Sequence, residues 1–410
     1  MKTLHIKFVM ILLITLSSIG FVLNGVPDVV TSQVKKYQDS QLVIYTYDSL
    51  FADPRYDLEG NFSSITGIPK EQIQIIRFSD ANQIVTRMLI EKDLPQADVV
   101  IGIDNALIHL INDKSEVLVP YMPENLSQIN TNLIQNLDPE LYLIPYDYGI
   151  ISLWFNNQII NSMTHAELSN LTLDSLLTSE LLSKLLVQNP KFSSPGLGFL
   201  LWTIAVYGDP QIQFDGLLQK DWRDWWTTAR NQLTITKSWG DAFEIFFNTE
   251  EDKPFMVSYG TSPAYGFCQW DDDSTTAVVT HENNQPNAWL QIEGIGLIKN
   301  APHEENAKRF IDWFLSKDLQ SVLAEHQWVY PANTEAHIPE CFNQSSIAPD
   351  EVEPLNNLIT PSMLKQYLVQ WQDDWESAVV ITTIPGYNTS VVLITVFFLA
   401  ISILLRRFER

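Results

Sequence analysis

Apolar and polar positions alternate along the chain in a way that separates strands from helices. LVIYTY (42–47), QIQIIRF (72–78) and ADVVIGI (97–103) are short, β-branched, largely apolar runs, while ANQIVTRMLIEK (81–92) carries its apolar residues at helical spacing. Strand and helix in alternation predict a mostly parallel sheet covered by helices. In such sheets ligands bind beyond the carboxyl ends of the strands. Tyr47-Asp48-Ser49, Ser79-Asp80 and Asp104-Asn105 all fall there.

A second tract starts near PYDYGIISLWFN (145–156) and runs through LLVQNP (185–190), SSPGLGFLLWTIAVYG, the Trp-rich KDWRDWWTTARNQ (220–232) and ITKSWGDAFEIFF to PFMVSYGTSPAY. AVVT and WLQIEGIGLI then look like strands returning to the first lobe. The chain is expected to build lobe 1 over 41–145, lobe 2 over 146–262, a return to lobe 1 over 263–345 and terminal helices over 346–380.

The two ends differ from this body. Lys2 and Lys7 precede an apolar run to about Val22, the layout of a secretory signal over residues 1–26. Residues 387–405 hold no charge, approach the roughly 20 residues of a membrane helix, and are followed by a basic tail at 406–410. These features predict a single-pass anchor at the cell membrane with the folded body extracytoplasmic. Five N-x-S/T triplets, at Asn61, Asn125, Asn170, Asn343 and Asn388, fit that side of the membrane.

Composition narrows the function. With 25 Lys and Arg against 49 Asp and Glu, a net charge of −24 argues against a nucleic-acid partner. The two cysteines, Cys268 and Cys341, are too few for a disulfide framework but enough for one bridge in an oxidising compartment. The seven histidines lack zinc-site spacing, and no metal is assigned. No GxSxG elbow, Cys/His pair or paired-carboxylate motif is present, so nothing in the motifs demands an enzyme.

Several residues are candidates for a site. Ser193 or Ser194 of SSPGLG could simply cap the helix that follows, or its glycines could let an anion approach the helix N-terminus. Trp239 and Trp328 sit at loop–helix junctions, and Tyr259 and Tyr265 flank a Gly-Thr-Ser-Pro turn; such rings pack against protein or against a flat cation. Trp222 and Trp226, four apart on one helical face, are expected to be structural, and QWDDDS (269–274) a solvated turn.

YTYDS, ADVVIGIDN, PYDYG, SSPGLG with LLW, TKSWGDAF, SYGTSPAY and WVYPA stand in an order that resembles the thiamine-binding substrate-capture proteins of ABC importers. The resemblance covers Leu42 to the helix ending near residue 379. It implies a two-lobed periplasmic-binding fold of the second type, a monomer working with a permease and an ATPase, and thiamine, thiamine monophosphate or thiamine diphosphate as ligand, with no resident cofactor. Carried over by position, Trp239, Tyr259 and Tyr265 would line the rings, and Trp328 and Tyr47, beside Asp48, would close the pocket from the other lobe. Asp80 and Ser193 would hold the hydroxyethyl end or its phosphate, with hinges near 145–149 and 260–285. Gly260 stands where the family usually has Thr, Ala81 where it has Gly, and Pro54-Arg55 where it has Trp. Two alternatives stay open: an enzyme like the thiaminases of the first type, which use a Cys nucleophile, or a binding protein for another cation such as a polyamine.

Overall fold

The computed structural model describes residues 39–380, apart from 53, 158–164, 169 and 249. Its strands are β1 (Leu42–Tyr47), β2 (Ile73–Phe78), β3 (Val99–Asp104), β4 (Leu118–Val119), β5 (Ile144–Asn156), β6 (Leu185–Gln188), β7 (Thr234–Thr236), β8 (Phe255–Tyr259), β9 (Thr275–Val278), β10 (Asn287–Ala288), β11 (Leu290–Ile298), β12 (Tyr330–Pro331) and β13 (Glu353–Pro354). The helices used below are α1 (Ala81–Ile90), α2 (Ser194–Tyr207), α3 (Trp222–Ala229), α4 (Trp239–Phe247), α5 (Ala264–Trp270), α6 (Lys317–Gln327) and α7 (Pro361–Val379).

One sheet path runs β2-β1-β3-β11-β5-β8-β6-β7. β1 is parallel to β2 and β3, as its apolar run predicts, and is buried on both faces up to Tyr47. β11 then enters antiparallel between β3 and β5. The long β5 divides the molecule: its residues Ile144 to Ile150 pair with β11, and Ile151 to Asn156 pair with β8 and β9. The first half belongs to lobe 1 and the second to lobe 2, so the chain crosses between lobes at Ile150-Ile151. Within the tract expected to return to lobe 1, β9 still pairs with the lobe 2 half of β5, and β11 is the strand that re-enters lobe 1.

A Trp-rich core fills lobe 2. Trp222 and Trp226 are fully buried, and the Trp226 ring meets Phe199, Trp225 and Trp375 edge-on at 5.6, 5.0 and 5.6 Å. α7 is held to this lobe by Arg223, whose guanidinium contacts Asp374 at 2.7 Å and Asp209 at 2.9 Å, and by Lys191 with Asp373 and Glu376. Its other end reaches lobe 1, where Lys365 Nζ donates to the Asn112 carbonyl.

The fold is two-lobed α/β, but the membrane helix added to it from the sequence is not supported. Among the described residues no helix is long and apolar enough to cross a membrane. The longest, α7, has 19 residues with polar and charged positions between its buried ones. The runs 1–26 and 387–405, on which the signal and anchor expectations were placed, lie outside the described residues.

Candidate functional site

Between the lobes lies a cleft of about 840 Å³, within the range of small-molecule sites. All eight candidate residues line it: Tyr47, Asp48, Asp80, Ser193, Trp239, Tyr259, Tyr265 and Trp328. The sequence scatters them over some 280 positions; the strand ends and helix starts of both lobes gather them.

From lobe 1, Tyr47 closes β1, and its hydroxyl donates to Glu293 at 2.9 Å. The ring passes over Gly102, whose φ is +101°; a Cβ there would stand 2.4 Å from the Tyr47 ring, so glycine is what admits the tyrosine. Asp80 caps α1 by accepting from the Gln83 backbone N–H at 3.1 Å, and burial lifts its carboxyl above the usual range. Trp328 caps α6 in the left-handed conformation, at φ +57°, a backbone state that costs a non-glycine residue about 1 kcal/mol or more.

From lobe 2, Ser193 caps α2, receiving the Gly196 N–H. The glycines of SSPGLG face protein: a Cβ on Gly196 would come within 2.4 Å of the Gln188 carbonyl oxygen, and one on Gly198 within 2.6 Å of Ile151. They set the approach of α2 to the sheet, and the residues of this run that reach the cleft are Ser193, Ser194 and Pro195. Ser238 and Asp241 form a capping box at the start of α4, which fixes Trp239 at the first helical position. The Trp239 ring lies 4.9 Å from Phe243.

The SYGTSPAY turn supplies both tyrosines. Ser262 Oγ accepts from the Tyr259 backbone N–H at 3.1 Å and lies 2.7 Å from Ser258 Oγ, which turns the chain from β8 into α5. Tyr265 then projects at the mouth, 37% exposed, with Trp270 at 5.2 Å and Trp328 at 6.1 Å, both edge-on. Cys268 on α5 is joined to Cys341, with Cα atoms 5.5 Å apart, so the helix that carries Tyr265 is tied to the segment behind Trp328. Gly260 is buried and faces away from the cleft: a Cβ there would sit 2.8 Å from Ile150 Cγ1, at the crossing between lobes.

The floor of the cleft was not anticipated. Asp147 on β5 and Glu293 on β11 are partners in register, 2% and 7% exposed, and both line the cleft with Gln291. Glu293 accepts from the hydroxyls of Tyr47 and Tyr146 and from the Gln291 amide. Asp147 Oδ2 and Gln291 Oε1 are buried without a hydrogen-bond partner. Burial, then the charge of Glu293, pushes the Asp147 carboxyl far above its ordinary range, and burial raises Glu293 in the same direction. The signal in the sequence was a single charge inside each of two otherwise apolar strands, PYDYGIISLWFN and LQIEGIGLI. A charge so placed is either paired or aimed at something.

Four carboxyl groups, Asp48, Asp80, Asp147 and Glu293, thus line the cleft together with Arg55, His326 and the aromatic rings. Such a site suits a flat ligand of positive charge. Among the described residues no group of three His, Cys, Asp or Glu is placed to hold a metal ion.

Comparison with known proteins agrees with this fold. The model of the family described as bacterial extracellular solute-binding protein matches residues 68–321. A thiamine-binding periplasmic protein of Brucella suis is 26% identical over 340 residues, covering 82% of this chain and 91% of the relative. That of Escherichia coli K12 is 25% identical, covering 82% and 93%. Among solved structures, a periplasmic thiamin binding protein superposes with a TM-score of 0.67 at 24% identity, over 83% of this chain and 96% of the other. An iron-bound HitA from Pseudomonas aeruginosa superposes with a TM-score of 0.62 at 16% identity, over 82% and 98%, which shows the shared fold. The family model spans more than half of the chain, and the chain belongs to the bacterial extracellular solute-binding proteins.

Proposed function

We propose that this protein is the substrate-binding component of an ABC importer, holding thiamine or its mono- or diphosphate between its lobes and presenting it to a permease. One observation carries the reading: Trp239, Tyr259, Tyr265 and Trp328 converge in one cleft over a floor of buried carboxyl groups. Each good contact between a desolvated thiazolium and an aromatic face contributes about 2 kcal/mol. Several such contacts with ring burial bring the roughly −12 kcal/mol of a nanomolar binder within reach. The names of the relatives point the same way. The N-terminus of α2, capped by the neutral Ser193, is the part of the wall suited to an anionic phosphate end.

The lobes already touch at the mouth, where Asn82 Nδ2 donates to the Lys191 carbonyl at 2.8 Å. Movement about Ile150-Ile151 would open and close this contact, and the closed form is what a permease would read.

An enzyme of the thiaminase kind requires a cysteine thiolate. Both cysteines of this chain are consumed in the Cys268–Cys341 bridge, which favours capture over cleavage. Calorimetry with thiamine, its phosphates and spermidine tests the reading: binding of the thiamine series supports it, and binding of spermidine alone replaces it with a polyamine protein.

A further inference from the structure

The two carboxyl groups of Asp147 and Glu293 stand opposite each other in register. Glu293 and Gln291 reach the pair from β11, Tyr146 from β5, Tyr47 from β1, Asp104 from β3 and Tyr259 from β8. β12 contributes Pro331, opposite Asp147, which brings no charge. The basic side chains on the cleft wall are Arg55 and His326. Two negative charges so close, and so far from water, repel strongly enough that one proton stays with the pair near neutral pH.

The hydrogen bonds decide where that proton sits. Glu293 is surrounded by three donors, two tyrosine hydroxyls and an amide, an arrangement that favours its ionised form. Asp147 has a buried oxygen with no donor at all. The proton therefore belongs on Asp147, and its carboxyl lines the cleft where a ligand would lie.

We infer that the Asp147–Glu293 pair is a proton-linked subsite for the positive charge of the ligand, the bound cation taking the place of the proton. The inference rests on the reading that the ligand is a cation. On binding, the O–H bond of Asp147 breaks and its proton passes to solvent, leaving two carboxylates against one positive ring. The floor and its contents carry one net negative charge before and after, so the ligand is buried without a change of charge in a poorly screened place. Uptake of a cation is then favoured by rising pH, by up to about tenfold per pH unit while Asp147 is protonated in the free protein and ionised in the complex.

The test is calorimetry on the full chain at pH 7 with thiamine, in two buffers of different ionisation enthalpy. About one proton released per thiamine is expected. Release should vanish with 3-deazathiamine, whose ring is neutral, and in Asp147→Asn. It should fall without vanishing in Glu293→Gln, where the charge of Glu293 is gone but burial still raises the Asp147 carboxyl. Melting curves on both variants separate loss of fold from loss of linkage. Thiamine binding without proton release in the wild-type chain overturns the inference. If thiamine does not bind, the functional reading fails on its own, and spermidine replaces it as the probe in the same buffers. Proton release with spermidine sustains the subsite; binding without release, or no binding of either cation, overturns it.

Discussion

The indole N–H of Trp239 donates to the Ser258 hydroxyl at 2.9 Å, and that hydroxyl is shared with Ser262 at 2.7 Å. The first residue of α4 and the last turn of β8 are thereby locked together, and the ring is held at the cleft in one plane. Trp239→Ala should weaken thiamine binding more than tenfold in calorimetry, with little change in melting temperature because the residue is only partly buried. Ser258→Ala keeps the ring but frees its orientation, and a loss of a few fold is expected. Equal losses in both variants would show that orientation, and not ring area, carries the effect.

Gly260 links the hinge to stability. Gly260→Ala places a Cβ 2.8 Å from Ile150 Cγ1, and overpacking of this kind costs about 1–3 kcal/mol. Urea unfolding should show that loss, and Ile150→Val in the same chain, which removes the Cδ1 3.1 Å from the new Cβ but keeps Cγ1, should restore only a small part of it. Because Gly260 does not line the cleft, the ratio of affinities for thiamine and its monophosphate should not change; a shift in that ratio would place the residue at the phosphate end after all.

Acid should weaken the anchorage of α7. Burial lifts the Asp209 carboxyl, but hydrogen bonds from Arg223 and Trp371 outweigh it and hold the group below its ordinary range. A depressed carboxyl stabilises the fold fully above its unfolded value near pH 4, and that contribution disappears as pH falls through the lower folded value. Asp209→Asn should cost about 1.5–3 kcal/mol at pH 7, since Arg223 loses one of three carboxylate partners and keeps Asp221 and Asp374, and less near pH 2.5. Denaturant melts at the two pH values check this. A cost that does not shrink in acid would contradict the assignment.

Asp147 predicts the opposite sign. Its carboxyl is raised by burial and by Glu293, so the folded state holds a proton that the unfolded chain gives up above about pH 4, and stability falls as pH rises from there towards the folded value. In the absence of ligand, Asp147→Asn should therefore melt at a higher temperature than the wild type at pH 8, with the gap closing at pH 4. A variant that melts lower at pH 8 would show that the carboxyl is a structural partner and not a cost borne for binding.

The bridge between Cys268 and Cys341 closes a segment of 73 positions, a constraint worth about 4 kcal/mol on the chain-entropy estimate. Reduction should lower the melting temperature and also weaken binding, because Tyr265 and Trp328 lose the tie that keeps their rings 6.1 Å apart. Unchanged affinity in the reduced protein would remove the bridge from the account of the site.

Much of this site was legible in the chain. Polar residues after β1 and before α1, the cap at Ser193 and the rings of SYGTSPAY all follow from where strands stop and helices start, which local sequence records. What escaped was the pairing of Asp147 with Glu293, because register between β5 and β11 joins residues 146 positions apart and no local rule announces it. The glycines of SSPGLG left two readings open for a related reason: their open backbone serves the packing of α2 on β6 and β5, and only the neighbouring strands reveal it. Gly260 likewise answers to Ile150 at the crossing between lobes, not to a ligand.

Calorimetric titration of the full chain with thiamine addresses the central claim most directly. The account predicts one thiamine per chain, bound in the nanomolar range and weakened more than tenfold by Trp239→Ala. No heat and no thermal shift with thiamine, its monophosphate or its diphosphate, from a chain that melts cooperatively, would contradict it.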